Sequence, residues 1–246
     1  MPRSIGAMIF RQMFEAARGL LCYLIADPVT RQAVVIDPLP SLLPQLHELE
    51  VRLGLTLVYV LETHVHKDFA SAALDLKCST GARVVAHEAA TNGPVDLRAR
   101  DGDVLYFGEE TIRVLHIPGQ SPCAVTYWWE DRLFTGETLL AGGIPGCGYL
   151  GGDHRTRYQT AISRLLTFPG ETLVYPGRES KGRRLVSIEE LRRHGNGCNA
   201  GPGRRVLLRA YRKLRPEETG KEKGNSIRVQ EDDVHHYMPG RDVSAS

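Results

Sequence analysis

The chain has 246 residues, 42% of them hydrophobic, and a formal net charge of +2 at pH 7. This size allows one fully buried core, and the small charge gives no reason to expect a polyanion as partner of the whole chain. No apolar run approaches the roughly 18 residues of a membrane span, and no signal-peptide pattern is seen. The cysteines are odd in number and lack Cys-x-x-Cys spacing, so we expect reduced thiols and a cytoplasmic protein with no membrane partner.

The first part of the sequence predicts short strands and two helices. Apolar and β-branched runs predict strands at Met8–Phe14, Leu20–Ile25, Ala33–Ile36, Leu55–Leu61 and Arg83–Ala86. Leucines at helical spacing predict an amphipathic helix over 41–53, which ends before Gly54. A second helix is predicted at Ala70–Lys77.

The second part predicts a meander of strands and then helices around one further strand. The strands of the meander are Val104–Phe107, Thr111–Ile117, Cys123–Trp129 and Arg132–Phe134. Apolar residues between Tyr158 and Leu166 form a helical face, and Thr172–Tyr175 predicts another strand. Helices are also predicted near 187–194 and 204–214.

This order of elements suggests one α/β domain over 1–216, with two sheets packed face to face and helices outside, although it fits several α/β layouts. Residues 217–246 are charged and poor in core residues, so we expect an extended or partly mobile C-terminal tail. The segment 178–215 holds twelve Lys and Arg against three Glu, a local balance of +9. A solvated helical face explains this charge, and the alternative is a site for an anionic ligand or acidic partner.

The segment 62–69, which reads ETHVHKDF, carries metal-ligating residue types at two-residue spacing. It directly follows the predicted buried strand Leu55–Leu61. Alternate residues at a strand end point the same way, so His64, His66 and Asp68 can face one cation. The segment therefore predicts a metal site at the edge of a sheet.

Five segments in order resemble motifs of the metallo-β-lactamase superfamily. They are VIDP at 35–38, ETHVHKD at 62–68, IPGQSP at 117–122, LFTGETL at 133–139 and VYPGR at 174–178. Within the superfamily the chain is most similar to persulfide dioxygenases and next to glyoxalase II, through ETH at 62–64, GETLL at 136–140, GGD at 151–153 and SIEE at 187–190. The resemblance implies a four-layer αββα sandwich with its ligands on loops at one edge.

The resemblance also implies a changed set of metal ligands. It assigns a first metal to His64, His66, Gln120 and Glu137, and a second to Asp68, Phe69, Glu137 and Arg178. Phe69 has no donor atom, and Arg178 keeps its proton near neutral pH. We therefore expect no metal or one weakly bound iron or zinc ion, with His64, His66, Glu137 and Asp68 as candidate ligands. Arg178 is expected to pair with Asp68 or Glu137 in place of the missing cation.

The same resemblance places the substrate pocket at Gln120, Gly146, Tyr149 and Arg178. Persulfide dioxygenases carry a glutathione-contacting arginine at the position of Gly146, so this anchor is lost. Cys147 and Cys123 are candidate catalytic thiols near the old site. The alternative readings are a core residue for Cys123 and a small loop residue for Cys147.

Three functions are compatible with these residues. The first is a non-classical or inactive member of the persulfide dioxygenase-like group that handles sulfur, with a small thiol or persulfide or a sulfur-carrier protein as partner. The second is an active mononuclear metalloenzyme, a persulfide dioxygenase or thioester hydrolase, with a rearranged site. The third is a nucleic-acid-associated protein that uses 178–215, although that segment lacks interleaved aromatic residues. Oligomer formation is compatible with all three.

Overall fold

The computed structural model describes residues 8–65, 71–118, 121–143 and 162–193, together with the backbone of a short strand at 226–227. Two β-sheets form its centre. Among the described residues, no helix is long and apolar enough to cross a membrane.

The first sheet has six strands in sequential order. They are β1 (Ile9–Glu15), β2 (Leu20–Ala26), β3 (Gln32–Ile36), β4 (Thr56–Leu61), β5 (Arg83–His87) and β6 (Leu97–Ala99). β1, β2 and β3 pair antiparallel as hairpins, whereas β3, β4, β5 and β6 pair parallel. The carboxyl ends of β3 and β4 therefore lie at the same edge of the sheet.

The second sheet has seven strands in the order β12-β11-β10-β9-β8-β7-β13. They are β7 (Val104–Phe107), β8 (Glu110–His116), β9 (Val125–Trp129), β10 (Arg132–Gly136), β11 (Leu173–Pro176), β12 (Val186–Ser187) and β13 (Ser226–Ile227). β10 and β11 pair parallel, so their carboxyl ends also lie side by side. β13 adds two residues of the expected tail to the edge of the sheet, parallel to β7.

Helices cover the outer face of each sheet. α1 (Leu43–Leu53) follows a 3-10 turn at Pro40–Leu42, and α2 (Ala73–Thr80) follows β4. Both end at a left-handed glycine, Gly54 or Gly81, as expected at a helix terminus. Residues 162–165 are helical and lie against the second sheet with α3 (Ile188–Arg193).

Three apolar layers hold the sandwich together. The central layer lies between the sheets and includes Tyr23, Tyr59, Phe107, Tyr127 and Phe134. One outer layer joins α1 and α2 to the first sheet, and the other joins the C-terminal helices to the second sheet. This arrangement confirms the predicted αββα sandwich.

Most predicted elements within the described residues are present, with differences at short or shifted elements. α2 begins at Ala73 rather than Ala70 and runs on to Thr80, because the left-handed Gly81 is what ends it. β6, β12 and β13 were not predicted, since two or three residues carry too little pattern to be recognised. The helix predicted near 204–214 lies outside the described residues.

Candidate functional site

A cavity of about 170 Å³ lies at the edge of the sandwich where β3, β4, β10 and β11 end. Each strand is followed by a polar residue that lines the cavity. These residues are Asp37 after β3, Glu62 and His64 after β4, Glu137 after β10 and Arg178 after β11. The two sheets thus contribute to one site, although its members are far apart in the sequence.

Asp37 organises the loop that carries His64. Its φ of +51° is unusual for a residue with a side chain, and it turns the chain sharply after β3. One carboxylate oxygen accepts the backbone N–H of Thr63 at 2.8 Å, and the other accepts the Thr63 hydroxyl at 2.7 Å. These bonds hold the start of the 62–69 segment against the end of β3.

The Thr63 hydroxyl in turn orients His64. Thr63 Oγ1 lies 2.9 Å from His64 Nδ1. Because the hydroxyl proton goes to Asp37, Thr63 Oγ1 accepts from Nδ1–H, and the lone pair of the ring is then on Nε2. This is the tautomer in which a histidine offers Nε2 to a metal.

Glu62 is a second carboxylate at the floor of the cavity and is 8% exposed. The Ser71 hydroxyl donates to its Oε1, and the Tyr127 hydroxyl donates to its backbone oxygen at 3.0 Å. Burial raises the pKa of the Glu62 carboxyl well above its ordinary value, and the nearby Asp37 raises it further. Burial likewise raises the pKa of Asp37.

Arg178 pairs with Glu137, as expected. Its Nε and Nη2 both contact Glu137 Oε1, at 2.8 and 2.7 Å. The Glu137 side chain is 15% exposed and that of Arg178 is 37% exposed, so the pair lies partly in the cavity wall. A guanidinium charge therefore neutralises this carboxylate.

Two glycines allow this pairing. The N–H of Gly177 donates to Gly136 O, and a Cβ at Gly177 would come within 3.0 Å of the Gly136 backbone. Gly136 has a φ of +53°, and a Cβ there would lie 2.3 Å from Thr63 Oγ1. Gly136 and Gly177, which precede Glu137 and Arg178, thus contact each other. Gly136 also packs against Thr63, which links Asp37 to His64.

The loop at Arg178 is also fixed to the turn between β1 and β2. Arg178 Nη1 donates to Arg18 O at 3.0 Å, and Glu179 N donates to Gly19 O at 2.8 Å. Leu21 N donates to Gly177 O at 2.9 Å. Backbone bonds on both sides of Arg178 therefore limit how far its side chain can move.

The structure brings three of the sequence-predicted site residues together: His64, Glu137 and Arg178. Cys123 is described but is only 5% exposed, and it packs with Ala86 and Ala90 beside Val65. Its Sγ lies 3.0 Å from Ser121 Oγ. The other predicted residues, namely His66, Asp68, Gln120, Gly146, Cys147 and Tyr149, lie outside the described residues.

The resemblance implies two metal positions, and the described side chains fit them unequally. Arg178 cannot be a ligand, and it occupies Glu137 Oε1 with two N–H groups, so a second metal does not fit at this position. His64 is in a suitable tautomer for a first metal, and Glu137 lines the same cavity. Within the described ranges no three His, Cys, Asp or Glu side chains form a ligand group. The remaining candidate ligands, His66, Asp68 and Gln120, lie outside those ranges.

Sequence reasoning did not identify Asp37, Glu62 and Arg18 as cavity residues. The signal for Asp37 was its place in the VIDP motif at 35–38, and for Glu62 its place at the start of the 62–69 segment. Arg18 stands in a turn with no comparable pattern. Only the packing of that turn against Arg178 reveals its position.

Several arginines in the described part of the basic segment have partners within the protein. Arg183 contacts Glu190, Arg184 contacts Glu179, and Arg193 contacts Glu189. Arg192 donates to backbone oxygens, including Leu166 O at 2.6 Å. These contacts favour the solvated-face interpretation over a surface for a polyanion.

Comparison with known proteins adds independent findings. A family model described as the metallo-beta-lactamase superfamily matches residues 18–178. The chain is 32% identical over 190 residues to persulfide dioxygenase ETHE1, mitochondrial, of Homo sapiens, which covers 75% of this chain and 74% of the relative. It is 31% identical over 194 residues to hydroxyacylglutathione hydrolase of Methylococcus capsulatus, with 70% and 74% covered. The crystal structure of ETHE1 from Myxococcus xanthus matches with a TM-score of 0.72 and 36% identity, over 86% of this chain and 93% of that one.

Proposed function

The chain belongs to the metallo-β-lactamase superfamily, and from this premise we propose that it is a non-classical member of the persulfide dioxygenase-like group. In this proposal it handles small sulfur compounds but lacks ordinary dioxygenation of glutathione persulfide. Its relatives named persulfide dioxygenase and hydroxyacylglutathione hydrolase support the general class of substrate. A cytoplasmic location is part of the proposal.

The contact between Arg178 and Glu137 is the observation that carries this proposal. Glu137 is a candidate ligand for the first metal, and two N–H groups of a permanent cation already bind its Oε1. A metal at Glu137 would lie close to the guanidinium and be repelled by it. The site therefore holds at most one ion, and holds it weakly.

His64 and Glu137 are the described residues that would hold such an ion, together with His66 and Asp68. An iron ion, when bound, would provide the reactivity toward molecular oxygen. The chain's own residues set its position, because the Asp37–Thr63 bonds fix the ring of His64. Gly146 stands where the resemblance places a glutathione-contacting arginine, which further weakens the case for glutathione persulfide as substrate.

Sulfur handling without a metal requires a thiol, and Cys147 is the better candidate because Cys123 is buried. The Cys147 thiolate would attack the outer sulfur of a persulfide, R–S–SH. A new S–S bond forms, the old S–S bond breaks, the product is Cys147–S–SH, and R–S⁻ leaves. A small thiol or a sulfur-carrier protein would then accept the outer sulfur.

An active mononuclear enzyme, either a persulfide dioxygenase or a thioester hydrolase, is the second candidate. The orientation of His64 favours it, since the bond from Nδ1 to Thr63 leaves Nε2 as the metal-binding atom. The two candidates differ in metal content and in oxygen consumption.

Oxygen consumption with glutathione persulfide tests the proposal. The iron-loaded protein should show no rapid consumption, whereas the human persulfide dioxygenase serves as the positive control. Peptide mass spectrometry after exposure to a persulfide donor should show an added sulfur at Cys147, with the exposed Cys78 as the control thiol. Rapid oxygen consumption would establish the enzyme instead, and modification absent from both Cys147 and Cys123 would remove the carrier role.

A further inference from the structure

The cavity has an uneven distribution of charge. Three carboxylates line it, namely Asp37, Glu62 and Glu137, and Arg178 is the guanidinium that neutralises one of them. Arg18 also lines the cavity, but its own guanidinium contacts Glu15. Acidic groups therefore form the floor, and a basic group stands at one wall.

Arg178 has donors that the described protein does not use. A guanidinium carries five N–H groups. Two of them bind Glu137 and a third binds Arg18 O, which leaves two N–H groups in the part of the chain that the structure describes. One is on each terminal nitrogen, and a carboxylate is an acceptor with matching geometry.

Glu62 has an acceptor that the described protein does not use. Ser71 donates to Oε1, while Oε2 accepts no hydrogen bond from the described residues. Only 8% of Glu62 is exposed to solvent. A buried carboxylate oxygen facing a cavity requires a donor, and a ligand that carries N–H groups supplies one.

Apolar side chains form the remaining wall. Leu39, Val65, Leu74 and Val95 are among the apolar residues that line the cavity. The cavity is partly open to solvent, and its volume of about 170 Å³ leaves room for a small amino acid.

We propose that this cavity binds a small zwitterionic α-amino acid. The ligand carboxylate accepts the two remaining N–H groups of Arg178, and the ligand ammonium donates to Glu62 and Asp37. The side chain contacts the wall formed by Leu39, Val65, Leu74 and Val95. The presence of sulfur in the natural ligand rests on the proposed function. The recognition of an amino acid by this cavity does not depend on it.

Ligands with only one of the two charges match the cavity less well. A simple carboxylate would satisfy Arg178 but would leave Glu62 without a donor. A simple amine would satisfy Glu62 and leave the remaining N–H groups of Arg178 without an acceptor. A molecule with both groups offers a partner to Arg178 and to Glu62 at once.

Isothermal titration calorimetry with three matched probes tests the proposal. L-2-aminobutyrate carries both charges, butyrate lacks the ammonium, and propylamine lacks the carboxylate. We expect L-2-aminobutyrate to bind with a dissociation constant of about 1 mM or tighter and each single-charge probe to bind about tenfold more weakly. No binding of L-2-aminobutyrate, or equal binding of all three, would overturn the proposal.

Variants locate the binding. Arg178→Gln and Glu62→Gln should each weaken L-2-aminobutyrate binding about tenfold or more, since the first removes the guanidinium and the second replaces a carboxyl oxygen by an amide nitrogen that cannot accept a hydrogen bond. Arg100→Gln breaks the ion pair with Glu88 outside the cavity and should bind as the wild type does. If Arg178→Gln is not folded by circular dichroism, Glu62→Gln decides the outcome, and unchanged binding by a folded variant contradicts the assignment. Calorimetry measures neither oxygen consumption nor sulfur transfer, so its failure leaves the proposed function standing.

Discussion

The backbone N–H of Gly177 donates to the carbonyl oxygen of Gly136 at 2.6 Å, between two adjacent parallel strands. A Cβ at Gly177 would lie 3.0 Å from the Gly136 Cα and carbonyl carbon. The absence of a side chain at Gly177 therefore sets the separation of the two loops. Because Glu137 and Arg178 follow these glycines directly, the same contact determines that the two side chains meet.

Gly177→Ala is expected to lower the free energy of unfolding by about 1–3 kcal/mol, the usual effect of overpacking. The added methyl group would push backbone against backbone, which cannot give way as a flexible side chain can. Gly182→Ala is the comparison, since it meets no atom within 4 Å and adds only the strain of a positive φ. Thermal unfolding measures both variants, and equal losses would contradict the steric explanation.

Arg178→Gln is expected to lower the free energy of unfolding by about 1–2 kcal/mol, because Glu137 loses a charged donor. The loss is smaller than the 3–5 kcal/mol typical of a fully buried pair, since the Arg178 side chain is 37% exposed. The melting temperature should fall by about 3–6 °C. In a double-mutant cycle with Glu137→Gln, additive effects would show that the contact contributes nothing.

Metal content is expected not to exceed one ion per chain after loading with iron or zinc. The physical reason is that Arg178 cannot ligate and already binds Glu137 Oε1. Elemental analysis and native mass spectrometry of protein without a histidine tag measure the stoichiometry. His64→Ala should release any bound ion, while His47→Ala, in the exposed part of α1, should retain it. Two tightly held ions would show that the ligand set has been misread.

His87 and His116 form a stacked pair that joins the two sheets, with ring centroids 3.7 Å apart and planes at 13°. His87 Nδ1 accepts the N–H of Ala89, and His116 Nε2 lies 2.9 Å from Pro122 O. Burial lowers the pKa of His87, and the nearby His116 lowers it further, while Glu88 and Asp101 act in the opposite direction. The folded protein therefore binds a proton here less readily than the unfolded chain does.

The contribution of His87 to stability is accordingly expected to fall as the pH drops below about 6.5, the ordinary histidine pKa, while the raised pKa values of Asp37 and Glu62 act in the opposite direction. Above that pH His87 is neutral in both the folded and the unfolded state, so its full contribution to stability is present. This contribution is lost as the pH falls through the depressed folded-state pKa of His87. Urea unfolding between pH 7.5 and 5.5 measures the slope. Relative to the wild type, His87→Asn should lose less stability as the pH falls, because the contribution of His87 is gone. His47→Asn should keep the wild-type slope, and an unchanged slope in His87→Asn would mean that the stack does not control it.

The order of strands and helices was largely predictable because it depends on local patterns. The leucines of α1 recur at helical spacing, and β3 and β4 are apolar runs long enough to be buried on both sides. α2 was misplaced by three residues at each end. Its apolar residues do not mark a face, so the left-handed Gly81 was the better signal of its end.

By itself, the sequence determined the sandwich, the strand ends that carry polar residues and the loss of ligating ability at Phe69 and Arg178. These follow from residue chemistry and from patterns a few positions long. Only the tertiary structure decided that Arg178 binds Glu137, that Thr63 fixes the tautomer of His64, and that Arg18 and Glu62 belong to the same cavity. The physical reason is that these contacts join residues up to 160 positions apart, and their distances depend on how the two sheets pack and on close backbone contacts at glycines.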